Sequence, residues 1–304
     1  MDDKKVAVAR LSVASNTLLT TGKLVVGLAM GSVSVLSEAI HSGLDLLAAV
    51  IAFLSVRKSG QPADERHRFG HGKFENVASI IEALLIAGAA VMIIAQAVPK
   101  FFQPHTVHAL GLGAAVMGFS AAVNMYVSHA LFKVARETDS PALAGDAWHL
   151  RTDVYTSLGV FAGLGLIKLT GLTILDPAVA IVIALLILKA AYDLIRESMK
   201  SILDVRLPEE DEKLICSVLD EYKGEYLDFH ALRTRKAGPY RFVDLHLVAP
   251  SNRPLAEVHR LCDRIEQTIE ARLPRSEVMI HIEPCDERCD QCRKCDTTPL
   301  KEKP

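Results

Sequence analysis

The chain has 304 residues, half of them apolar, a formal net charge of −2 and a mean hydropathy of +0.24. Its charged side chains are unevenly placed, 33 in residues 1–205 and 37 in the last 99, which excludes a single water-soluble globule and a disordered chain. Basic and acidic residues nearly balance in both parts, which excludes a generally basic nucleic-acid binder, and no nucleic acid is expected as a partner.

Taken in chain order, six apolar stretches approach the ~20 residues that a helix needs to cross a bilayer. They run over 11–31, 33–56, 77–98, 109–133, 143–167 and 176–197. The segment after the opening MDDKK contains Asn16 and Lys23 and no small-residue cleavage site, so it reads as a first membrane helix and not as a signal peptide. Loop 57–76 holds Arg57, Lys58, Arg66, Arg68 and Lys73, and loop 134–142 holds Arg136. The connections on the other side hold only Lys100 and Lys168. By the positive-inside rule both termini are expected in the cytoplasm.

Residues 1–206 are therefore expected as an all-α bundle of six transmembrane helices. A water-soluble domain is expected over 207–284, beginning at Leu207-Pro208. Leu214, Ile215, Val218, Leu219 and Tyr222 recur at helical spacing, as do Leu255, Val258, Leu261, Ile265 and Ile269. Ala231–Arg235 and Phe242–Val248 read as strands across a Gly238-Pro239 turn, and Val278–Ile282 as a third strand. The order helix–strand–strand–helix–strand is that of a small α+β domain. Residues 285–304 read as a flexible polar tail.

The chemistry concentrates in the second and fifth stretches. One carries His41 and Asp45, the other His149 and Asp153, both as His-x-x-x-Asp. Residues i and i+4 share a helix face. Two such helices facing each other would present two imidazoles and two carboxylates, a four-ligand set suited to tetrahedral zinc. Ionisable groups inside a membrane are expensive and functional by default. Two carboxylates balance a divalent cation, and two protons on the histidines restore neutrality when the metal leaves. An imidazole titrates near ~6.5, and proton and metal compete for the same nitrogen. The site could thus carry zinc one way and protons the other.

Other donors lie outside the membrane. Asp64, His67 and His71 crowd one loop, and three ligands with an open position suit an exchangeable site. The tail offers Cys285, Cys289, Cys292 and Cys295, whose spacing could hold zinc or another soft metal. All six cysteines fall at or after Cys216, and four lie too close together for a disulfide framework, so reduced thiols are expected. Cys216 and Cys262 sit on expected helices as apolar fillers. Lys23, Glu38, Glu82 and Asn124 are polar residues of the apolar stretches that could line a pathway or pair between helices.

An intramembrane zinc protease would need a His-Glu-x-x-His helix, and none occurs, so no enzymatic activity is expected. A membrane metal sensor without transport and an exporter of ferrous iron are the remaining rivals.

These residues also carry a family resemblance. The chain resembles the cation diffusion facilitators over about 8–284, and looks closest to their bacterial YiiP-type branch. The resemblance rests on Asn16 and Lys23, on Ser37-Glu38-Ala39-Ile40-His41-Ser42 through Asp45, on Phe69-Gly70-His71-Gly72-Lys73, on Asp146-Ala147-Trp148-His149 through Asp153, and on Asp176-Pro177. It implies a homodimeric, proton-coupled exporter of zinc, or more broadly of zinc, cadmium and cobalt, working by alternating access in the inner (cytoplasmic) membrane. It implies that Asp64, His67 and His71 bind metal at the membrane boundary, and that the cytoplasmic domain is ferredoxin-like and dimerises. It alone unites His230, His246, His259, His281 and Glu283 as a metal site there. Glu283 stands where a shorter Asp is usual.

Overall fold

A computed structural model describes residues 2–30, 33–100, 112–170 and 174–285, leaving out some side chains near helix ends. The chain divides into two compact units, Met1–Ile202 and the residues from Leu203 onward. The division falls four residues before the charge density rises.

The first unit contains six long helices among the described residues. These are α1 (Asp2–Met30), α2 (Val33–Ser59), α3 (Lys73–Lys100), α4 (Leu112–Thr138), α5 (Pro141–Thr170) and α6 (Leu175–Ile202). At ~1.5 Å per residue, 27 to 30 residues span about 40–45 Å, more than the ~30 Å of a hydrocarbon core. Each helix therefore outruns the apolar stretch that marks it. The extensions are polar, such as Arg57 and Lys58 in the last turn of α2 and Arg136 in that of α4, where basic groups suit the helix dipole.

Among the described residues, only Lys73–Pro99 and Pro177–Ile202 are long and apolar enough to cross a membrane by composition alone. The other helices carry polar side chains, and these point inward. Asn16, Asp45, Asp146 and His149 are buried, while Leu18, Leu28, Tyr126 and Leu186 are exposed. This inverts the distribution of a water-soluble protein and suits a lipid surround.

Small residues let the helices approach. Ala90 of α3 and Ala184 and Ala191 of α6 are buried with Ile86 and Ile187 in one core. A second core joins Val8, Ala9, Val56, Ala78, Leu131, Leu143 and Leu150 from the first five helices. Helix α5 packs against each of the other five and is the hub of the unit. Its start is well determined. Pro141 occupies the first turn, and the Ser140 hydroxyl accepts the Leu143 N–H at 3.4 Å. The same hydroxyl donates to Glu75 of α3, whose other oxygen receives the Lys5 ammonium of α1 at 2.5 Å. Three helices are thereby clasped at one end by a buried ion pair.

The second unit runs α7 (Glu209–Glu221), β1 (Asp228–Ala237), β2 (Tyr240–Ala249), α8 (Leu255–Arg272) and β3 (Ser276–Pro284). The sheet order is β1-β2-β3, with β1 antiparallel and β3 parallel to the central β2. Gly238 makes the β1–β2 turn at φ +59, a conformation costly for other residues. Ile215, Val218 and Leu219 of α7, Leu261, Ile265 and Ile269 of α8, and Val243, Leu245 and Leu247 of β2 form the core. The strands are longer than their apolar alternation because backbone pairing continues through polar residues such as His230, Lys236 and Arg241.

Candidate metal centres

Asp45 comes from α2, and His149 and Asp153 come from one face of α5. One donor atom from each lies within 4.8 Å of the others. His149 Nε2 stands 3.0 Å from Asp45 Oδ1, and both side chains are buried. Asn124 of α4 donates to Asp153 Oδ2 at 3.4 Å. With ~2.1 Å metal–ligand distances, tetrahedral ligands stand roughly 3.4 Å apart. Small side-chain movements would bring the three donors to that spacing. His41 lies one turn before Asp45 on α2; its side chain is outside the described residues, as is that of Glu38. Lys23 of α1 donates to the Ser42 hydroxyl at 2.8 Å, one residue after His41. Asn124 and Lys23 thus pair between helices, one of the two roles their polarity left open.

The loop donors also converge. Asp64 Oδ1 accepts the backbone N–H groups of Arg66 at 2.9 Å and His67 at 2.7 Å, and lies 3.3 Å from His67 Nδ1. Asp64 Oδ2 is 3.2 Å from His71 Nε2. The two imidazole rings are 4.5 Å apart, with Phe74 at 5.8 Å from each. The His67 N–H holds the Asp64 carboxyl below its usual range, helped by the Arg66 N–H and the two imidazoles and opposed by desolvation. Gly70, at φ +77, lets the chain turn between the two histidines.

In the second unit, pairing places His230, His246 and His281 side by side across β1, β2 and β3. Glu283 follows His281 by two residues and so shares its face. Its carboxylate reaches His246 Nδ1 at 2.8 Å and His230 Nε2 at 3.3 Å. His230, His246 and Glu283 form the converging set, and the His281 ring lies 4.9 Å from that of His246. Glu283, despite its extra methylene, reaches both histidines. His259 is not brought to this set within the chain. It lies exposed on α8, 3.5 Å from Asp263 one turn on. Its helical spacing could not reveal this, because the face of α8 that meets the sheet carries Leu261, Ile265 and Ile269.

The cysteines divide. Cys262 is buried in the core of the second unit, and Cys216 is partly buried on α7. Cys285 is buried just after β3 and is disulfide-bonded, a correction to the reduced thiol expected there. Cys289, Cys292 and Cys295 lie outside the described residues.

Comparison with known proteins follows the same division. Residues 9–203 match the cation efflux transmembrane domain, and residues 207–285 match the cytoplasmic domain of cation efflux proteins. The cation-efflux pump FieF of Klebsiella pneumoniae subsp. pneumoniae is 34% identical over 280 residues, 92% of each chain. The uncharacterized transporter sll1263 of Synechocystis sp. is 35% identical over 257 residues, 84% of this chain and 83% of the relative. A solved structure of CzrB in its zinc form is 38% identical, covers 28% of this chain and 98% of that one, and has a TM-score of 0.27. Two matched domains that together span nearly all of the described residues, in a chain whose buried donors gather between long helices, establish that this protein belongs to the cation efflux, or cation diffusion facilitator, family of transporters.

Proposed function

We propose that the chain exports zinc, and less selectively other divalent transition metals, from the cytoplasm in exchange for protons. The reading includes six membrane spans in the inner membrane, both termini in the cytoplasm, and a homodimer joined through a ferredoxin-like domain. The observation that carries it is the convergence of Asp45, His149 and Asp153 from α2 and α5, the first two buried and Asp153 partly so. Imidazole and carboxylate suit zinc. Two carboxylates offset the charge of a divalent ion, and His41, one turn before Asp45, is the proposed fourth ligand. Zinc requires the imidazole nitrogen free of its proton, so arrival of metal expels protons and arrival of protons expels metal. Alternating access then couples the two flows. His230, His246 and Glu283 are suited to hold a resident metal in the cytoplasmic domain, with His281 and His259 as further donors of the same site. Asp64, His67 and His71 are a proposed exchangeable loading position.

Zinc titration of the purified full-length protein in buffers of different ionisation enthalpy tests this reading. Binding to the wild type is expected to release protons. Asp45→Ala is expected to remove one zinc equivalent and the protons released with it. Unchanged stoichiometry in the variant would reject the membrane assignment. Ferrous iron outcompeting zinc in the wild type would replace zinc as the cargo.

A further inference from the structure

Glu82 of α3 and Asp146 of α5 are both fully buried; neither oxygen of Glu82 has a hydrogen-bond partner among the described residues, and Asp146 is faced by a single hydroxyl, that of Ser12 on α1. Glu75 shows the contrast on the same helix. It lies seven residues before Glu82, two turns away and on the same face. It is equally buried, yet one of its oxygens takes the Lys5 ammonium and the other the Ser140 hydroxyl. Ser79, between the two, receives the Ser198 hydroxyl of α6 at 3.0 Å. Among the described residues, Glu82 receives neither a cation nor a hydroxyl.

Its carboxyl presses instead against α5. A β-carbon at Gly145 would stand 2.0 Å from Glu82 Oε2 and 3.3 Å from Ser79 Cα. Glycine makes the room, and the next residue of α5, Asp146, comes close enough to Glu82 for two negative charges to repel. The titratable neighbours of the pair are Asp146 itself and, beyond it, His149, both on α5. Helix α1 presents Ser12 beside Asp146, and α6 presents Ser198 through Ser79.

Two ionised carboxylates here would be buried anions whose one titratable basic neighbour, His149, already faces Asp45 at 3.0 Å, a costly arrangement for a protein interior. Two occupants could relieve this, a metal ion or protons. The pair offers only hard oxygen donors and lacks the imidazole or thiolate that zinc favours. A hard cation needs roughly six oxygens at ~2.0–2.6 Å. Glu82 Oε2 is already packed on the α5 backbone at Gly145, which takes up part of the space such a shell would fill. Protons need no space and remove both charges.

We infer that Glu82 and Asp146 form a proton-binding site separate from the metal cage, protonated in this conformation and emptied when α3 and α5 shift during transport. The transport half of this statement rests on the proton-exchange reading above. Infrared spectra of the full-length protein in liposomes test the protonation itself. The wild type is expected to show the band of protonated carboxyl groups at neutral pH. Glu82→Gln and Asp146→Asn, which keep side-chain volume, should each remove part of it. Absence of the band in the wild type, or its persistence unchanged in both variants, overturns the inference. So does its disappearance on adding magnesium or manganese, which would make the pair a cation site. Protons counted per zinc in proteoliposomes test the emptying, and Glu82→Gln should carry fewer than the wild type. An unchanged count would overturn that half. A wild type that moves zinc with no protons at all would refute the exchange reading, while the infrared result still decides the protonation.

Discussion

At the scale of single residues, spacing revealed some groups and concealed others. His149 and Asp153 stand one helical turn apart, and the repeat of that spacing at His41 and Asp45 marks both helices as a pair. Lys5, Glu75 and Ser140 share no local period. Their sequence separations of 65 to 70 residues make the clasp visible only after folding. It has a testable weight. Lys5→Ala would leave Glu75 as a buried charge without its cation, a change that typically costs about 3–5 kcal/mol. The expected result is a markedly lower thermal midpoint for the full-length protein in detergent. Replacing the pair together, with Lys5→Met and Glu75→Gln, should recover much of the loss. Equal midpoints for Lys5→Ala and the wild type would show that the clasp adds nothing.

At the scale of elements, apolar runs mark the helices and strands found among the described residues, and polar ends set their lengths. Hydropathy ends where lipid would end, whereas a helix continues as long as its backbone bonds do. The same limit explains His259. Periodicity places it on α8, but which side of α8 meets the sheet depends on packing. Cys262 lies on the packed side, and burial pushes its thiol up to about 11. An unfolded thiol ionises near ~8.5. Between these values the unfolded chain has lost the proton that the folded chain keeps, so stability falls as pH rises through this window. For the fragment 207–284, the urea midpoint should therefore drop between about pH 8 and about pH 10.5 by more than in Cys262→Ala, a difference on the order of 1 kcal/mol. Parallel pH profiles for the two would contradict the assignment. A single-sign pattern is also expected at Glu221, whose carboxyl is held below its usual range by the Arg272 guanidinium. Its contribution is present near neutral pH and is lost on acidification.

At the scale of the whole molecule, the structure falls into two compact units that part after Ile202, and the charge density of the sequence rises at residue 206. The α-β-β-α-β order of the second unit was legible because its helices and strands each bury one apolar face. Its cluster of donor side chains was not, because His230, His246 and Glu283 come from three strands and meet only through strand register. Expressed alone, residues 207–284 should form a soluble dimer that zinc tightens. Sedimentation should show His246→Ala losing the zinc effect while keeping its fold, since His246 lies opposite the core-facing residues of β2. A monomer with and without zinc would count against a shared metal at the interface.

Gradient-driven zinc flux in proteoliposomes tests the central claim most directly. Wild-type protein, Asp45→Asn and Asp153→Asn would be reconstituted at equal loading, and zinc movement followed with and without an imposed pH gradient. The account predicts wild-type flux that rises with the gradient and falls to the level of empty vesicles in either variant. Zinc flux indifferent to the gradient, or wild-type rates in both variants, would contradict it.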